Sequence, residues 1–337
     1  MVRSMFAGVA GLRTHQSKLD VIGNNIANVN TWGFKSLSAN FMDSLYTNNT
    51  NSTGGNVEVQ GGLGGINASQ VGYGVQMSSI SRDFSKSTPY ATGRELDIMI
   101  DGTGFLIVGT SKGGLTTGSV ISTANGADIA GAGIQLSRVG ILNVDNQGFL
   151  LDNQGNYIYG YVPDATVDRT EVPEPDPNNP DDPNLLGNPT LNMDRIAPIR
   201  IPVKTAGTAG AGNESTDVLY ELQNYKIMSD GTVIGYTKDT EKQVTLGKIA
   251  LANVQNVNGL ESTSGYYYQV GENAGTCTAN QSNAILGKFL SSYLEMPNVD
   301  LAKEFSEMIT TQRGYQANTK VITVTDEMLQ ELVNMKR

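Results

Sequence analysis

The chain has 337 residues, with 23 Lys and Arg against 33 Asp and Glu and a formal net charge of −10. That length supports two or three domains, and the acidic balance argues against a nucleic-acid binder, whose phosphate contacts need clustered Lys and Arg. A single cysteine, Cys277, excludes an intrachain disulfide, and no apolar run reaches the roughly 18 residues of a membrane-spanning helix.

The stretch "MFAGVAGL" after Arg3 faintly resembles the apolar part of a secretory signal. The run is short, and "RTHQSK" follows where a small-residue cleavage site would stand, so a helix that stays on the mature protein is expected. Val2, Met5, Val9, Leu12, Gln16, Leu19 and Ile26 fall on alternating three- and four-residue steps. That is the a/d seam of a coiled coil, interrupted by Gln16 and Gly23. The helix runs into Asn24, Asn25, Asn28 and Asn30 and then Trp32, Gly33, Phe34 and Lys35. Asparagine is a poor interior residue of a helix because its side chain competes for backbone hydrogen bonds, so the helix is expected to close here.

Residues 47–74, "TNNTNSTGGNVEVQGGLGGINASQVGYG", are small or polar and glycine-rich, which reads as a linker or as a hinge. From Val71 to about Tyr161 apolar and polar residues alternate between Gly and Asn turns. "LDIMIDGTGFLIV" (Leu96–Val108) predicts a hairpin turning at Asp101–Gly102, and Val144–Tyr161 a further meander. Within the latter, Asp152–Asn156 looks slightly like a calcium loop but lacks its ligand spacing and distal glutamate, so it is read as a turn. The acidic, proline-rich Glu171–Asn184 and the Gly/Ala-rich Thr205–Thr216 bracket an expected insertion over 162–217. Strands resume at Tyr225–Thr237, again around an Asp-Gly turn, and at Leu246–Val254.

After Pro297 and Asn298 a second helix is expected. Leu301, Phe305, Met308, Gln312, Tyr315, Thr319, Ile322, Asp326, Leu329 and Val333 repeat the alternating steps, with acidic residues at the start and Lys336 and Arg337 at the end, as the helix dipole favours. Both stripes are narrow and partly polar. They fit either an N–C helical pair within one molecule or faces that are completed only by other subunits. The fold class is α+β with discontinuous domains: residues 1–46 with 288–337 as a paired-helix coiled-coil domain, 47–74 as the linker, 75–161 with 218–287 as a β-rich middle domain, and 162–217 inserted.

Enzymatic signatures are missing. No GxxxxGK[ST] loop occurs, and Gly102-x-Gly104 does not continue into GxGxxG. His15 is the single histidine, Cys277 has no histidine near it in sequence, and the carboxylates of 171–182 read as solvated charge. No cofactor, metal or catalytic residue is expected.

"MFAGVAGLRTHQSKLDVIGNNIANVNTWGFKS" closely resembles the N-terminal motif of the bacterial flagellar axial family, the rod and hook proteins. "ELDIMIDGTGFLIV" is similar to the family's central signature. "LGKIALANVQNVNGLESTSGYYYQ" resembles its next block, with Val257-Asn258 where the family usually has Asn-Pro before Gly-Leu. "LEMPNVDLAKEFSEMITTQRGYQANTKVITVTDEMLQELVNMKR" is similar to the C-terminal block, with Pro297 where serine is usual, and its last residues look most like hook members. Residues 110–133 and 162–217 match nothing in the family.

The resemblance implies a non-enzymatic structural subunit of the flagellar hook, a bending tube that transmits torque, with the distal rod as the alternative. It implies paired terminal helices as an inner layer, a β middle layer, and an outward insertion. The implied partners are other copies of the chain in a helical homopolymer, rod proteins, hook cap and hook–filament junction proteins, and the flagellar export apparatus. It implies no nucleic acid and no membrane insertion, and export to the extracellular flagellum without a cleaved signal. On this reading Val2, Met5, Val9, Leu12, Leu19, Asn24, Asn25, Ile26, Asn28, Trp32, Phe34, Leu301, Phe305, Met308, Tyr315, Ile322, Leu329 and Val333 form the subunit interface, the asparagines bonding to neighbours. An adhesin-like surface module and an enzyme are the rival classes.

Overall fold

The computed structural model describes residues 2–54, 64–110, 121–122, 133–145, 148–163, 191–201, 222–237, 243–281 and 286–335. They form two compact units. Unit 1 takes residues 1–30, 35–83 and 299–337, and unit 2 takes 31–34 and 84–298. Two long helices accompany a mostly β remainder, an α+β composition.

In unit 1, α1 spans Val2–Ala27 and α2 spans Leu301–Met335. Asp300 caps α2: its Oδ1 accepts the backbone N–H of Ala302 at 2.9 Å and of Lys303 at 3.3 Å. Pro297 lies before this cap and takes no part in it. At the other boundary α1 closes locally, where Asn28 Nδ2 donates to the Asn24 carbonyl at 2.9 Å and to Asn24 Oδ1 at 3.0 Å.

The helices run antiparallel. A Cβ on Gly8 would meet Ile322, one on Gly11 would meet Asn318, and one on Gly314 would meet the His15 ring. Farther along, Lys18 Nζ lies 3.1 Å from Glu307 Oε2, and Asn25 Nδ2 donates to Glu304 Oε1 at 3.0 Å.

The rest of unit 1 is a long two-stranded antiparallel arm. β1 (Leu37–Asp43) pairs with β4 (Val75–Arg82), and β2 (Tyr46–Thr50) with β3 (Ser69–Gly72), ending at a Thr53–Ile66 bridge. Of residues 47–74, expected as a linker or hinge, the described ones therefore supply the outer half of this arm. The chain passes between the units at residues 30–31, 34–35, 83–84 and 298–299 instead. The arm lies against α1. Gly74, at φ +114°, brings its backbone onto Ala7, where a Cβ would come within 3.1 Å of the Ala7 Cα. Thr14 Oγ1 also donates to the Val75 carbonyl at 3.3 Å.

Unit 2 is built on a sheet that holds fourteen strands among the described residues. Its main path runs from the hairpin Leu222–Ile227/Thr232–Thr237 through Gln243–Ile249, Tyr157–Pro163 and Phe105–Gly109 to Ile134–Ser137, Tyr267–Val270 and Leu260–Ser262. Two apolar clusters fill it. One centres on Leu106, Val108, Ile158, Ile249 and Leu251, and the other on Phe105, Ile107, Leu136 and Tyr159.

The Asp230–Gly231 turn forms as expected, with Gly231 at φ +83°. The hairpin at Asp101–Gly102 does not. Ile98–Asp101 pairs with Lys288–Ser291 in a separate ladder, while Phe105–Gly109 enters the main sheet. A tight two-residue hairpin turn needs a left-handed residue, and neither Asp101 nor Gly102 has a positive φ. What requires glycine at 102 is proximity: a Cβ there would lie 2.2 Å from the Leu286 carbonyl oxygen. Of the expected insertion, Leu191–Pro198 is a strand paired with Tyr157–Pro163 in the sheet; 164–190 and 202–217 lie outside the described residues.

A buried ion pair stitches unit 2 together. Arg138 and Glu295 side chains are 2% and 1% exposed and meet at 3.2 Å (Nε to Oε2). Arg138 Nη1 also donates to the carbonyls of Gly102 and Gly104, each at 2.8 Å. Glu295 accepts the Ser87 N–H at 3.3 Å. Removing one member leaves the other charged and buried, which costs about 3–5 kcal/mol. Glu295→Ala is therefore expected to lower unit 2 stability by about that amount, while Arg138→Met with Glu295→Leu recovers most of it. Chemical denaturation followed by near-UV circular dichroism checks this.

Candidate assembly surface

Neighbouring positions on an α-helix are rotated by about 100°, so a seam one residue out of step faces elsewhere. The seam that joins α1 to α2 is built mostly from small and polar residues. On α1 it uses Gly8, Gly11, His15, Lys18 and Asn25, with the buried Ile22 on the same helical face; on α2 it uses Glu304, Glu307, Thr311, Gly314, Asn318, Ile322 and Thr325. The buried threonines return their hydroxyls to their own helices: Thr14 to the Ala10 carbonyl, Thr311 to Glu307 and Thr325 to Val321, at 2.8, 2.7 and 2.6 Å. These hydroxyls are satisfied, whereas His15 Nδ1 in the same seam has no hydrogen-bond partner, and glycine lets the helices come close.

The apolar positions expected to make that seam mostly lie elsewhere. Met5, Val9, Leu12, Leu19 and Ile26 are only half-buried, and the Val2 side chain lies outside the described residues. Phe6, beside them, is 58% exposed. On α2 Ile322 faces α1, and Met308 and Leu329 are half-buried. Leu301, Phe305, Tyr315 and Val333 are exposed. A second exposed row, Val321, Val324, Met328, Leu332 and Met335, was not singled out in the sequence, although its three- and four-residue steps were legible there. It bounds a shallow groove lined by Val324, Glu327, Met328, Glu331 and Leu332. Contiguous exposed apolar rows of this kind mark interaction surfaces in soluble proteins.

The asparagines divide. Asn25 is 1% exposed and wholly engaged inside its own chain: Nδ2 donates to the Leu37 carbonyl at 2.8 Å and Oδ1 accepts the Leu37 N–H at 2.9 Å. It has no surface to offer a neighbour. Its role is to splice the end of α1 to the start of β1. Asn24 is exposed and Asn28 half-buried. Trp32 stacks on Tyr90 with ring centroids 5.4 Å apart, and the Phe34 carbonyl accepts the Asn298 N–H at 3.4 Å. Both are held within unit 2, as is Gly33 between them. Gly33, at φ +66°, donates its N–H to the Glu295 carbonyl at 2.9 Å. Sequence reasoning missed this last role, which a glycine between two aromatics could have signalled.

The calcium-like loop is a turn. Asp152 is buried, and its two carboxylate oxygens accept the hydroxyls of Tyr266 and Tyr267, each at 2.5 Å. Burial first, and then the Asp152 bond, pushes both tyrosines well above the usual phenol range. Among the described residues no group of three or more His, Cys, Asp or Glu is placed to hold a metal.

Comparison with known proteins gives this surface a context. Residues 5–35 match the family described as flagella basal body rod protein, and residues 290–335 the one described as flagellar basal body rod FlgEFG protein C-terminal. These matches cover α1 from residue 5 onward with the turn after it, and all of α2 with the strand residues before it. The chain is 33% identical over 339 aligned residues to the flagellar basal-body rod protein FlgG of Bacillus subtilis, covering 100% of both. It is 27% identical over 454 to the flagellar hook protein FlgE of Borreliella burgdorferi, again covering 100% of both. Against the flagellar hook protein FlgE of Salmonella typhimurium it is 26% identical over 431, covering 99% of this chain and 100% of that one. The chain belongs to the flagellar rod and hook protein family.

Two predictions concern the α1–α2 seam. Gly314→Val must displace the His15 ring and is expected to destabilise unit 1 by about 1–3 kcal/mol. Gly23→Ala, with nothing within 4 Å of the new methyl, is expected to stabilise α1 by up to about 1 kcal/mol. Thermal melts at 222 nm distinguish them. The second prediction concerns acid. Burial, aided by Lys18, lowers the His15 pKa from 6.5, and its Nδ1 has no hydrogen-bond partner. The folded state thus binds the imidazole proton less readily than the unfolded chain, so stability is lost as pH falls through 6.5. Burial raises the Glu304 pKa from 4.5, which acts in the opposite direction but in a lower range. Unit 1 is expected to melt at a lower temperature at pH of about 5.5 than at about 7.5, and His15→Gln to flatten that dependence.

Proposed function

We propose that this chain is a structural subunit of the bacterial flagellar hook, polymerising with copies of itself into a helical tube that bends while transmitting torque. The observation that carries this reading is the uncovered apolar surface of both terminal helices. Their mutual seam uses glycine, threonine and asparagine and leaves Met5, Phe6, Val9 and Leu12 on α1, and Phe305, Val324, Met328 and Leu332 on α2, without full cover. Burying an exposed side chain of this size stabilises by roughly 1.5–3 kcal/mol, so a chain carrying a row of them gains from association. A head-to-tail contact whose rotation does not close produces an open helical polymer.

On this reading Val2, Leu19, Ile26, Leu301, Met308, Tyr315, Ile322, Leu329 and Val333 contribute to the same helical layer, coiled against neighbouring copies, with Asn24 and Asn28 at its rim. Trp32 and Phe34 act within the chain and fasten the exit of α1. The partners are rod components below, the cap and junction proteins above, and the export apparatus that delivers the chain to the extracellular flagellum without a cleaved signal. Catalysis plays no part.

The rod is a second reading, favoured by one observation: the 33% identity to a rod protein over the full length of both chains exceeds the 27% and 26% to hook proteins. Rod and hook differ in shape, so one experiment separates them. Antibody raised against the whole chain is applied to detached, intact flagella and located by immunogold microscopy. Label along the short curved segment between filament and basal body is the expected result. Label confined to the straight shaft transfers the assignment to the rod, and label elsewhere on the cell surface removes the chain from the axial structure.

A further inference from the structure

Resting on the polymer reading above, we infer that neighbouring copies lock through opposite charge: the start of α1 in one copy docks on the groove at the end of α2 in the next. The first two thirds of α1, Val2–Leu19, carry Arg3, Arg13 and Lys18 and no Asp or Glu before Asp20. The last part of α2, Val321–Met335, carries Asp326, Glu327 and Glu331, between Lys320 before it and Lys336 and Arg337 after it. Each charged set borders an apolar row. On α1 the exposed Arg13 and Phe6 adjoin Met5, Val9 and Leu12, and on α2 Glu327 and Glu331 line the groove formed with Val324, Met328 and Leu332.

The two sets cannot satisfy each other inside one molecule. Antiparallel pairing brings the start of α1 level with the end of α2, since Gly8 faces Ile322. The contact there uses Gly8 and Gly11 against Asn318 and Ile322, while Arg13 and the Glu327–Glu331 groove are on faces turned away from it. Lys18 is already engaged by Glu307, and Arg3 lies over the Tyr73 ring at 5.7 Å. One copy therefore shows a basic apolar face and an acidic apolar face at the same end and on different sides. Two different complementary surfaces on different sides of one copy allow a head-to-tail contact, which generates rings or helices. The α1 row covers the groove, and the charges set its register and exclude the alternative of α2 against α2, where glutamates would oppose glutamates.

The test uses the purified full chain, assembled in vitro and followed by sedimentation and electron microscopy. Glu327→Arg with Glu331→Arg is expected to raise the concentration needed for assembly roughly tenfold or more, as is Arg13→Glu alone. The triple variant is expected to recover assembly, and higher salt is expected to weaken the wild-type polymer. As an independent readout, Phe6→Cys with Met328→Cys is expected to give a disulfide ladder of dimers and higher multimers under oxidation. The native Cys277 is buried and does not compete. A wild-type polymer that tolerates both charge reversals and yields no ladder overturns the contact while leaving the polymer reading intact. A wild-type chain that stays monomeric overturns both.

Discussion

Everything distinctive about unit 1 depends on how closely α1 and α2 approach each other. Glycines at 8, 11 and 314 remove the side chains that would hold the helices apart, and threonines 311 and 325 are buried while bonding to their own helix. Ile22 and Ile322 apart, a seam of this composition contributes little apolar burial. It holds the pair through close packing, the Lys18–Glu307 ion pair and the Asn25 splice. Because most of the large apolar residues are not used there, they remain on the outside, in exposed rows of the kind that mark interaction surfaces.

Unit 2 follows the opposite logic. Its strands bury Leu, Ile, Val and aromatic residues in two clusters, and the buried Arg138 is matched by Glu295 and two backbone carbonyls. The segment that leaves α1 is fastened into this unit by Gly33 and Trp32, and the segment that returns toward α2 by Asn298. The exposed two-stranded arm gains support from α1, since an isolated pair of strands is marginal in water.

Legibility in the sequence tracked the range of the forces involved. Both helices, the acidic start of α2, the asparagine closure of α1, the turn at Asp152–Asn156 and the Asp230–Gly231 hairpin all follow from residues within a few positions of one another. The reading of Asp101–Gly102 as a hairpin failed because its glycine serves proximity to Leu286, 184 positions onward, and not a local turn. Residues 191–198 were read as part of an insertion, and 47–50 and 69–72 as part of a linker or hinge. Their strands are specified by what they pair with, and no local pattern announces a partner.

The sequence by itself determined the helices, the β character of the middle, and the presence of apolar stripes at three- and four-residue steps. It also carried the motifs of the rod and hook family. Only the tertiary structure decided which face of each helix is spent inside the molecule. Periodicity reports that a stripe exists but not what covers it. The choice of the glycine–threonine face over the apolar one rests on axis-to-axis distance, which emerges only when residues some 300 positions apart, such as Gly8 and Ile322, are brought together.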